Sequence, residues 1–242
     1  MRVTNYSKKS ASYGVPRRQF LNYMAMVSAI PFSVGHLYGR VNTSPKFSAY
    51  PFTLGVASGD PEPDGVVIWT KLASDPLELG GSGIDPEPIL VKWEVSEDEA
   101  FTKVVQQGSE VAGPQLGHSV HVELSGLDSH RWYFFRFHAG SEVSPIGRTR
   151  TAPAMDVMPK KMKFAFTSCQ HLESGYFNGY PHMQKEDLDI VIHLGDYIYE
   201  YAGIDKRVRK HIGKEIESLD EYRQRYSQYR LDEDLQEAHR VF

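Results

Sequence analysis

Two short apolar runs each stop at a residue able to bind a metal. Lys163–Thr167 leads into Thr167-Ser168-Cys169-Gln170, which holds the chain's one cysteine. Leu188–Leu194, in LDIVIHLGDYIYEY, leads into Asp196 and, three residues on, Tyr199. A thiol, a carboxylate and a phenol all bind as anions, and iron(III) accepts oxygen and sulfur anions together. It is also charged enough to strip protons from groups whose ordinary pKa values are about 8.5 and 10. Each residue also has a plainer reading. A lone cysteine is commonly a small buried hydrophobe, and Gly-Asp after a strand is a common turn.

The elements that would carry these residues read as the start of a parallel α/β sheet. Continuous apolar runs of this length predict strands buried on both faces, Lys163–Ser168 and Leu188–Gly195. A short helix or crossover at Phe177–Glu186 joins them, giving a strand, crossover, strand unit. In open parallel sheets, ligands gather beyond the carboxyl ends of the strands, where Cys169 and Asp196 stand. Tyr199 returns to the same place only if the backbone turns at once after Asp196, because positions i and i+3 of a strand face opposite ways. Ser218–His239 reads as one charged helix with Leu219, Tyr222, Tyr226 and Tyr229 near one face. His193 reads as a packed core histidine, and Tyr197, Glu200 and Tyr201 as supports around the site.

Residues 50–152 have a different grammar, with short strands, frequent turns and little helical signal. Candidate strands are Thr53–Ser58, Gly65–Lys71, Ile89–Ser96, Lys103–Ser109, Ser119–Leu124, Arg131–Ala139 and Gly147–Thr151. Such spacing predicts an immunoglobulin- or fibronectin-like sandwich, and Leu127 followed by Tyr133 resembles the tyrosine corner of such folds. Trp69, Trp93, Trp132, Phe134, Phe135 and Phe137 read as its core, and Asp60 in Ser-Gly-Asp-Pro as a turn residue.

Charge is uneven along the chain. Six of its 27 Lys and Arg and none of its 31 acids fall within residues 1–45, so an overall charge of −4 hides a more acidic body. That body argues against nucleic acid as a partner. Lys206, Arg207, Arg209, Lys210, His211 and Lys214 are a local exception that could attract an anionic substrate or form a solvated loop. Pro16-Arg17-Arg18-Gln19-Phe20-Leu21 before the apolar stretch Met24–Val34 matches a twin-arginine export signal. The stretch is too short to span a bilayer, so no stable membrane anchor is expected. The expected destination is the periplasm or the cell exterior, with the export machinery as a transient partner.

Phe52–Leu72 (FTLGVASGDPEPDGVVIWTKL), FAFTSCQ, HLGDYIYEY and LQEAHRVF together resemble the PhoD-like alkaline phosphatases. The resemblance implies a signal and spacer at 1–48, a fibronectin-like β-sandwich at 50–152 and the N-terminal part of an α/β metallophosphoesterase domain at 160–242. It implies hydrolysis of phosphate mono- and diesters at an iron(III) and calcium centre. Cys169, Asp196 and Tyr199 would be metal ligands, and the Asp196 carboxylate the catalytic bridge between the two cations. Such a cation pair polarises phosphoryl oxygens and supplies a hydroxide for attack near neutral pH. The family's W-D-D-H-E-like motif comes after the segment matching LQEAHRVF, so the chain to Phe242 is expected to be an N-terminal fragment, inactive alone. Other readings are a secreted fibronectin-like binding module with a degenerate tail, a phosphodiesterase of the phospholipase D type, and a mononuclear iron redox protein.

Overall fold

Alternation along the strands determines the first layer pair. In this computed structural model, which describes residues 41–242, β1 (Val56–Glu62), β2 (Gly65–Lys71) and β5 (Ser119–Leu124) form one antiparallel sheet in the order β1-β2-β5. The second sheet joins β4 (Val104–Ala112), β3 (Ile89–Ser96), β6 (Trp132–Ala139) and β7 (Glu142–Val143) in that order, and β8 (Gly147–Arg150) also pairs with β6. In β6, buried Tyr133, Phe135, Phe137 and Ala139 alternate with half-buried Trp132, Phe134, Arg136 and His138. The buried set meets Val56, Ile68, Val91, Val95 and Val122 in one core between the sheets, the packing expected of two faces of period two. The Tyr133 hydroxyl accepts the Asp128 N–H at 2.9 Å, which ties the β5–β6 connection as the tyrosine corner predicts.

Two details depart from the sequence reading. Asp60 is not a turn residue: it lies inside β1 with φ 49°, where the β1–β2 register slips between Gly59 and Glu62. A bulge takes up an extra residue, and aspartate tolerates the left-handed conformation this requires. Of the six aromatics read as core, Trp132, Phe134 and Trp69 stand outside the sandwich core, Trp69 on the opposite face of its sheet. The Trp69 ring meets Tyr226 edge-on at 6.2 Å and lies 5.1 Å below the Arg230 guanidinium.

The later part begins with β9 (Phe164–Thr167) and β10 (Ile190–His193), paired in parallel, with α1 (Gly179–Met183) between them. The strands are shorter than their apolar runs, and one face stays open. Phe164, Phe166, Ile192 and Leu194 are 56, 63, 40 and 63 % exposed, contrary to the expectation of burial on both faces. The predicted single helix is two, α2 (Leu219–Arg230) and α3 (Glu233–Val241). Asp232 breaks it: its carboxylate accepts the Leu235 N–H at 3.0 Å and starts a new helix. The predicted face also shifts, because Leu219 and Tyr222 are exposed while Arg225, Ser227, Tyr229 and Arg230 are buried.

Those buried polar groups hold the helices against the sandwich. Arg230 donates to the Leu54 carbonyl at 2.8 Å, and Gln236 to that of Thr53 at 3.1 Å. Ser227 Oγ donates to the Gly81 carbonyl at 2.9 Å and accepts from Lys71 Nζ at 3.1 Å. The FTLGVASGDP stretch is thus the surface on which α2 and α3 sit. Gly55, with φ 69°, passes under Gln236 where an added Cβ would lie 3.1 Å from its Oε1. Among the described residues no helix is long and apolar enough to cross a membrane. Arg17 and Arg18 lie outside the described residues.

Candidate metal centre

Both parallel strands end in the same unusual way. Cys169 and Asp196 come just after them with φ 54° and 53°, a conformation uncommon for residues other than glycine. The parallel pairing continues past the strands: the Cys169 N–H donates to the Gly195 carbonyl at 3.1 Å, and that of Gln170 to the Asp196 carbonyl at 3.2 Å. The two turns therefore leave the sheet side by side. Strained backbone of this kind clusters at functional sites, because only the surrounding structure makes it tolerable.

The turn after Asp196 brings Tyr199 back. Its hydroxyl donates to Asp196 Oδ2 at 3.0 Å, and Cys169 Sγ lies 3.5 Å from the same oxygen. The structure thus brings all three predicted residues to one carboxylate oxygen. Cys169 is exposed, which removes the reading of an inert buried thiol. Desolvation, then the Asp196 carboxylate and the Cys169 thiol, push the Tyr199 phenol above its ordinary pKa. Three anion-forming donors of mixed hardness converging on one point fit iron(III), and the second oxygen of Asp196 suits a neighbouring hard cation.

The part of the supporting shell formed by His171, Glu173 and His211 was not legible in the sequence. The His171 ring packs edge-on against Tyr199 at 4.7 Å and tilts against His211 at 5.3 Å. His171, Glu173 and His211 place one donor atom each within 4.8 Å of one another. Both His211 nitrogens are nonetheless committed: Nδ1 donates to the Tyr201 carbonyl at 3.1 Å, and Nε2 accepts the Tyr229 hydroxyl at 2.9 Å. Desolvation and the nearby Arg225 lower the His211 pKa, in keeping with the neutral ring these bonds require. Glu173 is fully buried and accepts the backbone N–H groups of Ile204 and His211 at 2.8 and 3.0 Å. Burial alone would raise its pKa, but those two bonds hold it low. The trio is therefore a brace for the 202–212 loop.

Other predicted residues resolve differently. His193 is half-buried, accepts the Gly195 N–H at 3.2 Å through Nδ1 and lies 5.1 Å from the Tyr197 ring. Tyr197 supports the site from behind, its hydroxyl 2.9 Å from His239 Nε2, whereas Tyr201 is half exposed. The basic cluster is spent on structure only in part. Arg209 donates to the Leu172 and Gly175 carbonyls and pairs with Asp232 at 2.6 Å, Lys210 pairs with Asp205 at 2.5 Å, and His211 is buried. Lys206 and Arg207 are exposed. A cleft of about 360 Å³ between β1, β8, β10 and α3 includes Asp60, Arg150, His193 and His239, and none of the three candidate ligands lines it.

Comparison with known proteins shows what this arrangement belongs to. The family description "PhoD-like phosphatase, N-terminal domain" matches residues 39–153, and "PhoD-like phosphatase" matches residues 164–242. The chain belongs to the PhoD-like phosphatase family. Alkaline phosphatase D of Bacillus subtilis (strain 168) is 48 % identical over 237 residues, covering 93 % of this chain and 40 % of the relative. A solved structure of PhoD superposes with a TM-score of 0.79 at 52 % identity, over 82 % of this chain and 40 % of that one. The chain thus spans 40 % of the length of both relatives. Cys169, Asp196 and Tyr199 all fall in the second PhoD-like segment.

Proposed function

We propose that this PhoD-like chain forms the N-terminal part of an exported, metal-dependent phosphoesterase acting on phosphate mono- or diesters. In this reading Cys169, Asp196 and Tyr199 would hold iron(III), with calcium as the second cation beside Asp196, and residues 160–242 would begin a metallophosphoesterase domain. The convergence of Cys169 Sγ and the Tyr199 hydroxyl on Asp196 Oδ2, at 3.5 and 3.0 Å, carries the proposal. When bound, the metal pair supplies Lewis-acid polarisation of the phosphoryl group and lowers the pKa of water.

The chain's own residues fix where that chemistry takes place. The two left-handed turns aim Cys169 and Asp196 the same way, and the Tyr199 phenol closes the third side. Tyr199 and Cys169 give up their protons on metal loading, so loading is linked to pH. Exposed Lys206 and Arg207, on the loop braced by Glu173, draw an anionic ester towards the centre. Twin-arginine export through Arg17 and Arg18 to the periplasm or cell exterior suits a protein that folds around its metals first.

The test is Asp196→Asn in the protein at its full natural length. Hydrolysis of p-nitrophenyl phosphate is expected to fall by at least about 100-fold, with iron and calcium content falling too. Wild-type turnover in that variant would remove Asp196 from the centre.

A further inference from the structure

Tyr199 reaches Asp196 along a segment with no regular structure, since no helix or strand lies between β10 and α2. Beyond Asp196, the backbone carbonyls of this segment have few backbone partners, the Ile216 N–H to the Glu200 carbonyl among them, and the others must be satisfied some other way. One side chain serves three of them. Arg225 of α2 is 1 % exposed; its Nη1 donates to the Tyr199 carbonyl at 2.6 Å and to the Tyr201 carbonyl at 3.0 Å. Its Nη2 donates to the Ile212 carbonyl at 3.1 Å. A planar guanidinium with five fixed donors can join carbonyls from both passes of the loop, which a lysine ammonium cannot do in the same geometry.

Tyr229 meets the Tyr199 backbone N–H, and the carbonyl side is left to Arg225. Glu173 holds the loop through Ile204 and His211, and Tyr229 links the Leu172 N–H to His211. The bond to the Tyr199 carbonyl comes from Arg225. The phenol oxygen lies at the far end of the side chain from that carbonyl, so a small backbone rotation there is magnified at the oxygen facing Asp196. Misplacement by about 1 Å costs on the order of 10²-fold in turnover at well-built sites.

We propose that Arg225 is a positioning residue, setting the place of the Tyr199 phenol over Asp196 and Cys169 through the backbone of the returning turn. This rests on Tyr199 being a metal ligand.

The test is Arg225→Lys in the iron-loaded protein at its full natural length, with Arg230→Lys as control. Arg230 is equally buried on the same helix but donates to the Leu54 and Val56 carbonyls and not to the backbone carbonyls of the turn. The readouts are the tyrosinate-to-iron(III) absorption band, iron retention against a chelator, and Tm. Arg225→Lys is expected to shift the band and weaken iron retention by roughly 10- to 100-fold. Arg230→Lys is expected to lower Tm and leave the band in place. Arg225→Gln, which keeps one NH2 group without the buried charge, serves as a second variant with the same expectation. An unchanged band and retention in a folded Arg225 variant would overturn the proposal. So would an equal band shift in Arg230→Lys, or failure of both Arg225 variants to fold, each of which marks a purely structural role. A wild-type protein that binds iron without a tyrosinate band would instead remove Tyr199 as ligand, and the positioning role with it.

Discussion

Cys169 shows how much a single residue can reveal. It is exposed and left-handed at a strand end, with its sulfur 3.5 Å from a carboxylate oxygen, so it contributes little to any core. Cys169→Ser should therefore change the stability of the chain by less than about 0.5 kcal/mol, as exposed positions do. In the iron-loaded protein the same change exchanges a soft thiolate for a poorly acidic hydroxyl, and iron retention should fall by at least about 10-fold. A denaturant midpoint and an iron titration on the same variant separate the two effects; a large loss of stability with iron retained would make Cys169 structural after all. Cys169 and Asp196 were legible because each stands just beyond an apolar run, and Tyr199 because it follows Asp196 by three residues. Arg225 was not, because a buried arginine inside a charged helix has the same sequence signature as a solvated one, and only its three carbonyl partners distinguish it.

At the scale of elements, period and turn chemistry located the strands well, and the errors arose where local polar chemistry competes with periodicity. β2, β3 and β5 match their predicted ranges residue for residue, because alternation against one core leaves little choice. The helical stretch was misjudged because Asp232 caps a second helix inside a continuous charged pattern, and because carbonyls of the sandwich make polar residues the buried ones. The open face of β9 and β10 was misjudged for another reason: the apolar runs record what such strands are suited to bury, whereas only one face is covered here. The start of α2 gives a direct test. Ser218 Oγ accepts the Glu221 N–H, and the Glu221 carboxylate accepts the Ser218 and Glu217 N–H groups at 2.8 and 3.0 Å. Ser218→Ala should cost about 1 kcal/mol in chemical denaturation. The N–H groups of Glu217 and Ser218 hold Glu221 near pKa 2, below its ordinary 4.5. A carboxylate depressed on folding stabilises above its unfolded pKa, and that contribution disappears as pH falls from 4.5 towards 2. Glu221→Gln should therefore flatten this part of the acid limb; an unchanged acid limb would show that the cap is not formed in solution.

For the whole described molecule, the question is whether the sandwich stands alone, as a binding module with a degenerate tail would, or folds as one unit with residues 164–242. The structure favours joint folding, because side chains of α2 and α3 end on sandwich carbonyls, Ser227 and Arg230 fully buried, and separation would break these bonds and expose the surface they seal. Thermal or denaturant unfolding should give one transition whether monitored by Trp69 fluorescence at the junction or by the far-ultraviolet signal of the helices; two transitions, with the sandwich outlasting the helices, would favour the module. Lys71 makes the junction's contribution measurable. It is 2 % exposed and donates to Ser227, and desolvation, then repulsion from Arg223, lower its pKa from 10.5 to about 8. Between those values the unfolded chain carries a proton at Lys71 that the folded one lacks, so stability from this site rises with pH across the window and is level on either side. The gain is on the order of 3 kcal/mol. Burial pushes the phenols of Tyr197 and Tyr226 upwards, which acts in the opposite sense above pH 10, so the comparison must be with Lys71→Met under identical conditions. Between pH 8 and 10.5 the wild type should gain stability relative to that variant, while below pH 8 the difference should be constant. A difference that does not change with pH would mean that Lys71 keeps its ordinary pKa, and so that α2 does not seal the sandwich there.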